Sequence, residues 1–268
     1  MIYIPSPFRQ SGLLPRMNSF ASLLVQNLKQ LNAKERDHLM RFAYLGATGA
    51  YEDNADRWLS VEMERALKDR FAKSGLDASA RCVFASMDYH LDWLHVALLL
   101  ACNKEIACDQ MGLLDDGLPD DSLRPVIGIQ EDLDLLVVFA TDSNVFLLCI
   151  EAKGDASFDK VQLARKLIRL DRIIVASGAI NRADLQCTLV LIAPKTPAFT
   201  DCLEYTRSLP GGKFSDMRDY LEHHPSGIGG GVKFVELAGF PKTLKKVTRT
   251  DPANASSKEF THWRIKNR

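Results

Sequence analysis

Two apolar runs separated by four polar residues constrain the fold of this chain more than any other feature. Asp134-Leu-Leu-Val-Val-Phe-Ala140 and Val145-Phe-Leu-Leu-Cys-Ile150 are rich in strand formers and flank Thr141-Asp142-Ser143-Asn144, which is the pattern of a β-hairpin. The second run reads as a buried strand, yet it ends in Glu151-Ala152-Lys153. Side chains alternate across a strand with period two, so Glu151 and Lys153 project from the same face.

The register of the hairpin decides what these charges meet. A turn centred between Asp142 and Ser143 sets Asp134 opposite Glu151 and Asp132 opposite Lys153. Directly opposed residues have Cβ atoms roughly 4.5 to 5.5 Å apart, and like charges there are destabilising. At an effective dielectric near 20, two carboxylates ~5 Å apart repel by about 3 kcal/mol. A divalent cation between the oxygens offsets that repulsion, and hard Mg²⁺ takes one or two carboxylates plus waters and substrate phosphate. A turn centred on Ser143 and Asn144 instead sets Asp134 opposite Lys153, as a cross-strand salt bridge. Asp142-Ser143 is not a strongly preferred two-residue turn, so the sequence leaves both registers open.

Around the hairpin, helical and strand patterns alternate. Two short amphipathic helices open the chain, the second starting at the capping-box pattern Asn32-Ala33-Lys34-Glu35. A longer helix is expected from about Asn54 to Lys73, with Leu59, Met63, Ala66, Leu67, Arg70 and Phe71 in its stripe and Ser74-Gly75 ending it. A short strand over Arg81 to Met87 follows, then a helix capped by Asp88 and reaching about Ala101. Asp115 to Ser122 is an acidic, turn-rich loop. After the hairpin come a helix from about Asp159 to Ala176 and a buried strand from Leu185 to Ala193. Val232 to Leu237 and Glu259 to Ile265 are candidate late strands.

Composition excludes several classes. Thirty-four basic and 34 acidic residues cancel, so no overall field announces a nucleic-acid or membrane partner. Six scattered cysteines without a C-x-x-C pair suit reduced, buried thiols in a cytoplasmic protein, not a disulfide framework or zinc site. No signal peptide is read at the N-terminus, and the apolar run Val96 to Cys102 is too short to span a bilayer. His90 and His95 lack the i, i+4 spacing of a helical zinc pair. Cys149 reads as a small packed side chain.

An acid opening one strand and Glu-x-Lys closing the next, here Asp134 and Glu151-Ala152-Lys153, resembles the PD-(D/E)XK nuclease superfamily. The resemblance spans roughly half the chain. It implies an α/β, restriction-endonuclease-like three-layer α/β/α core with a mixed central sheet over residues 51–195, an N-terminal helical extension (1–50) and a C-terminal extension packed on the core (196–268). It also implies a metal-dependent hydrolase, an endodeoxyribonuclease acting on DNA, with a homodimer allowed for and no membrane partner. Asp134 and Glu151 would hold Mg²⁺ or Mn²⁺, with the carbonyl of Ala152 as a further ligand. Lys153 would position the attacking water and favour its hydroxide form.

Family members place a Gln on the following helix, and Gln162 is suitably located, although Asp159-Lys-Val-Gln162 is also a capping-box arrangement. Lys160, Lys166 and Arg169 on that helix are the expected phosphate contacts. Lys245-Lys246 and Trp263-Arg264 are further candidates in a basic C-terminal segment. Glu62 is the expected additional acid from the first core helix, with Glu52 as its alternative. The pattern departs from the family in having no Pro before Asp134, in the literal Pro119-Asp120 lying in a polar loop, and in the extra helix after Asp88. The alternative reading is a catalytically inactive protein of the same fold, a nucleic-acid-binding or scaffold module in which Asp134, Glu151 and Lys153 form an ion-pair cluster.

Overall fold

The hairpin organises the fold. In a computed structural model that describes residues 19–31, 59–102, 126, 128, 131–153, 158–193, 232–236, 245–250 and 262–267, its strands are β2 (Asp132–Ala140) and β3 (Val145–Ala152). The described helices are α1 (Ser19–Leu31), α2 (Val61–Phe71), α3 (Leu91–Cys102) and α4 (Lys160–Ala176), and the remaining strands are β1 (Arg81–His90), β4 (Leu185–Ala193), β5 (Val232–Glu236), β6 (Lys245–Thr250) and β7 (His262–Asn267). Asn32 to Glu35, Glu52, Trp58, the Asp115–Ser122 loop and Pro119-Asp120 lie outside the described residues.

Strands β1 to β5 form one mixed sheet in sequence order. β1 and β3 flank β2 antiparallel, while β3, β4 and β5 run parallel. β3 is central and covered on both faces, so seven of its eight residues are buried, which is why its sequence is a continuous apolar run and not an alternating one. On one face Leu136, Val138, Leu147, Cys149 and Leu189 pack with α1, α3 and α4. On the other, Val137, Phe139, Phe146, Leu148 and Ile150 pack against Leu67 and Phe71 of α2. The protein is thus α/β, with helices on both faces of a mixed sheet.

Local chemistry sets the helix ends. The Ser60 hydroxyl accepts the Met63 N–H at 3.1 Å and caps α2. Gly75, at φ 90°, closes the 3₁₀ turn that follows, a left-handed conformation that favours glycine. The Asp159 carboxylate accepts the Gln162 N–H at 2.8 Å and caps α4. That helix carries the chain across one face of the sheet, as the parallel β3–β4 pairing requires.

One expectation needs correction. Asp88 does not cap a helix; it lies inside β1 with φ 49°. β1 runs on because Tyr89 pairs with Leu133 and His90 with Asp132, and the buried Tyr89 hydroxyl donates to the Leu28 carbonyl at 2.9 Å. Both late segments are strands: Val232–Glu236 joins the main sheet, and His262–Asn267 pairs with Lys245–Thr250 in a separate antiparallel ribbon.

Candidate functional site

The observed ladder pairs Ala140 with Val145 and continues in step to Leu135 with Ile150. This is the register of a turn centred between Asp142 and Ser143, so the next position along brings Asp134 alongside Glu151. The register that opposes Asp134 to Lys153 is not adopted. Thr141 explains why: its Oγ1 accepts the N–H of Asn144 at 2.9 Å and of Ser143 at 3.3 Å. Its own N–H donates to the Asn144 carbonyl at 2.9 Å. A threonine oxygen thus supplies the turn geometry that Asp142-Ser143 alone does not favour.

Glu151 follows the parity of Leu147 and Cys149 and projects from the face that carries α4, while Asp134 is the residue just past the last laddered pair, Leu135 with Ile150. Asp134 is exposed, and its Oδ2 accepts the Ala152 N–H at 2.7 Å. Ala152 is therefore joined to Asp134 through its amide. Glu151 is buried. Lys153 is half-buried, and its N–H donates to the Ile192 carbonyl at 2.9 Å, which fixes the end of β3 to β4.

Helix α4 completes the site. Lys166 Nζ forms an ion pair with Glu151 Oε1 and donates to the Asp132 carbonyl at 2.8 Å. Arg169 is fully buried and bridges Asp92 of α3 to Glu131, the latter at 2.7 Å. Glu151, Lys153, Asp159, Gln162 and Lys166 line a recess of about 10 Å³, room for about one water-sized group. Gln162 serves both assignments: its backbone N–H is capped by Asp159, while the residue lines the recess.

Electrostatics tie these groups together. Burial pushes the Glu151 carboxyl above its ordinary 4.5; the Lys166 ammonium pulls it back through charge and hydrogen bond, Asp134 raises it further and Lys153 lowers it. Loss of solvation outweighs the ion pair, the usual balance for a charge pair taken out of water. Cys149 hydrogen-bonds to Cys187, and that bond, with burial, raises its thiol well above 9.0. It is an inert packed side chain, as expected.

Three expected site residues are placed differently. Lys166 and Arg169 do not present their charges to a phosphate backbone: both are buried and paired with carboxylates, because they lie on the helix side that carries Leu163, Leu170 and Ile173 into the core. Glu62 is exposed on α2, whose buried residues pack on the opposite face of the sheet, so it is not brought to Asp134 and Glu151. Lys160 begins α4, but its side chain lies outside the described residues.

Asp92 and Glu131 were not singled out, and Lys166 and Arg169 were assigned the wrong surroundings. A signal existed. Lys166 is four residues before Leu170 and seven before Ile173, on the apolar stripe, where a cation requires a buried partner.

No protein-family model matches the chain, and neither a curated protein nor a solved structure does. Among the described residues no helix is long and apolar enough to cross a membrane, and no three His, Cys, Asp or Glu side chains gather as a ligand set. Asp134 and Glu151 lie on neighbouring strands, near enough for the Asp134 charge to raise the Glu151 carboxyl.

Proposed function

We propose that this chain is a metal-dependent nuclease that hydrolyses phosphodiester bonds of DNA on a restriction-endonuclease-like α/β/α fold. The observation that carries the reading is the hairpin register, which brings Asp134 to the position after the Leu135–Ile150 pair, next to Glu151, with Lys153 at the strand end. The order of α2, β1, β2, β3, α4 and β4 also follows the helix, three antiparallel strands, helix and strand that the resemblance implies, with α3 inserted.

Asp134 and Glu151 are the residues suited to hold Mg²⁺ or Mn²⁺, which when bound stabilises charge developing on the scissile phosphate. Lys166 favours the ionised form of the buried Glu151, the form able to ligate. Lys153 orients the attacking water and favours its hydroxide form, and Gln162 offers an amide to the same recess. Asp134 accepts the Ala152 N–H, which steadies the acid against the end of β3.

Nicking of supercoiled plasmid tests the reading. Purified protein should nick with Mg²⁺ or Mn²⁺. Asp134→Asn and Lys153→Met should each lower the rate by about 10²–10⁴-fold with an unchanged unfolding midpoint, since neither side chain is buried.

The second reading, an inactive scaffold of the same fold, draws on the Glu151–Lys166 ion pair, which already occupies one carboxylate oxygen. On that reading no DNA or RNA is cut with either metal, and Asp134→Asn and Lys153→Met change nothing that an activity assay reads.

A further inference from the structure

The β6–β7 ribbon has a composition unlike the rest of the chain. Its twelve positions, Lys245–Thr250 and His262–Asn267, include five Lys or Arg and no Asp or Glu, whereas the whole chain balances 34 against 34. The ribbon therefore concentrates positive charge that the net charge conceals.

Its register sets Arg249 opposite Trp263, and both are exposed. Trp263 is 68% exposed and Ile265, two residues along the same face, is 52% exposed. Among the exposed large apolar side chains of the described residues, Trp263 is the one aromatic. An indole opposite a guanidinium, on two strands whose twelve positions hold no Asp or Glu, matches the chemistry of single-stranded nucleic acid, in which every unpaired base offers a π-face and every linkage a negative charge.

We propose that the face of the β6–β7 ribbon that carries Trp263, Ile265 and Arg249 is a binding surface for single-stranded DNA, with Trp263 stacking on a base and Arg249 neutralising a phosphate. The choice of DNA over RNA rests on the nuclease reading; the binding surface itself does not. A basic ribbon carrying one indole and one isoleucine has little apolar area to insert between lipids, which disfavours a membrane as its occupant.

Titration of the full chain with fluorescein-labelled oligothymidylate tests this, at about 20 nucleotides, longer than the ~4–16 that comparable sites cover. It is done in EDTA so that binding is read without cleavage. Tryptophan emission should be quenched on binding. Trp263→Ala should weaken binding by about five- to a hundred-fold, while Trp263→Phe retains most of the affinity and loses the quench. Arg249→Gln should reduce the slope of log affinity against log salt by about 0.7.

Unchanged affinity in Trp263→Ala overturns the proposal, as does tighter binding to oligouridylate or to anionic phosphatidylserine vesicles. The failures are separable. Binding through Trp263 by a protein that cuts no DNA removes the nuclease reading and leaves the ribbon; cleavage by a protein whose binding ignores Trp263 does the reverse.

Discussion

The two ends of the β2–β3 hairpin are held in different ways. At the turn, Thr141 and Asn144 satisfy each other across three residues, with Ser143 bonded to the same hydroxyl. At the open end, partners come from far along the chain: Lys166 reaches Glu151 and Asp132 across 15 and 34 residues, and Arg169 reaches Asp92 across 77. The turn is small, wet and self-contained. The open end is charged and partly buried, and it exists only when α3, α4, β2 and β3 have assembled. Local chemistry thus sets the register, while long-range ion pairs make it tolerable to bury an acid where that register puts one.

The contrast can be broken most severely at Glu151. Glu151→Ala leaves Lys166 buried without its carboxylate and should cost about 3–5 kcal/mol, read as a lower urea midpoint. Combining Glu151→Gln with Lys166→Met should restore most of that stability, because no charge is then left unpaired. Arg169→Met comes next. It should cost about 2–3 kcal/mol, discounted because Asp92 and Glu131 are partly exposed and keep some solvation.

A pH series sharpens the comparison further. The folded pKa of Glu151 is raised above 4.5, so the folded state binds this proton more tightly than the unfolded chain. The resulting stability is fully present below 4.5 and is lost as pH rises through the folded value. As pH rises above 4.5, Glu151→Gln should therefore lose less stability than wild type, measured by urea unfolding at each pH. The turn should respond least. Thr141→Ala removes one acceptor from a solvated loop and should cost about 1 kcal/mol, without the pH dependence of the open end.

The same distinction governs what could be read from the sequence. Leu185–Ala193, Val145 onward and the helix after Asp159 stand where the apolar patterns put them, since each is fixed by periodicity and a local cap. The two hairpin registers could not be separated, because the deciding interaction is a threonine hydroxyl, not the two central turn residues. β1 overran its expected end because Tyr89 has a partner on α1, 61 residues away, and no local pattern encodes that. Lys166 and Arg169 looked like a solvated basic face for the same reason: the partners that make burial affordable lie on other elements. Asp134, Glu151 and Lys153 could be singled out because one short motif at the open end of the hairpin contains all three, whichever register forms.

Calorimetric titration of the full chain with Mn²⁺, comparing wild type with Asp134→Asn, tests most directly whether the open end of the hairpin is a cation site. Asp134 is exposed, so the substitution leaves the fold intact. The prediction is a single bound Mn²⁺ in wild type, weakened at least about tenfold in the variant. No binding in wild type, or equal affinity in the two proteins, contradicts the account.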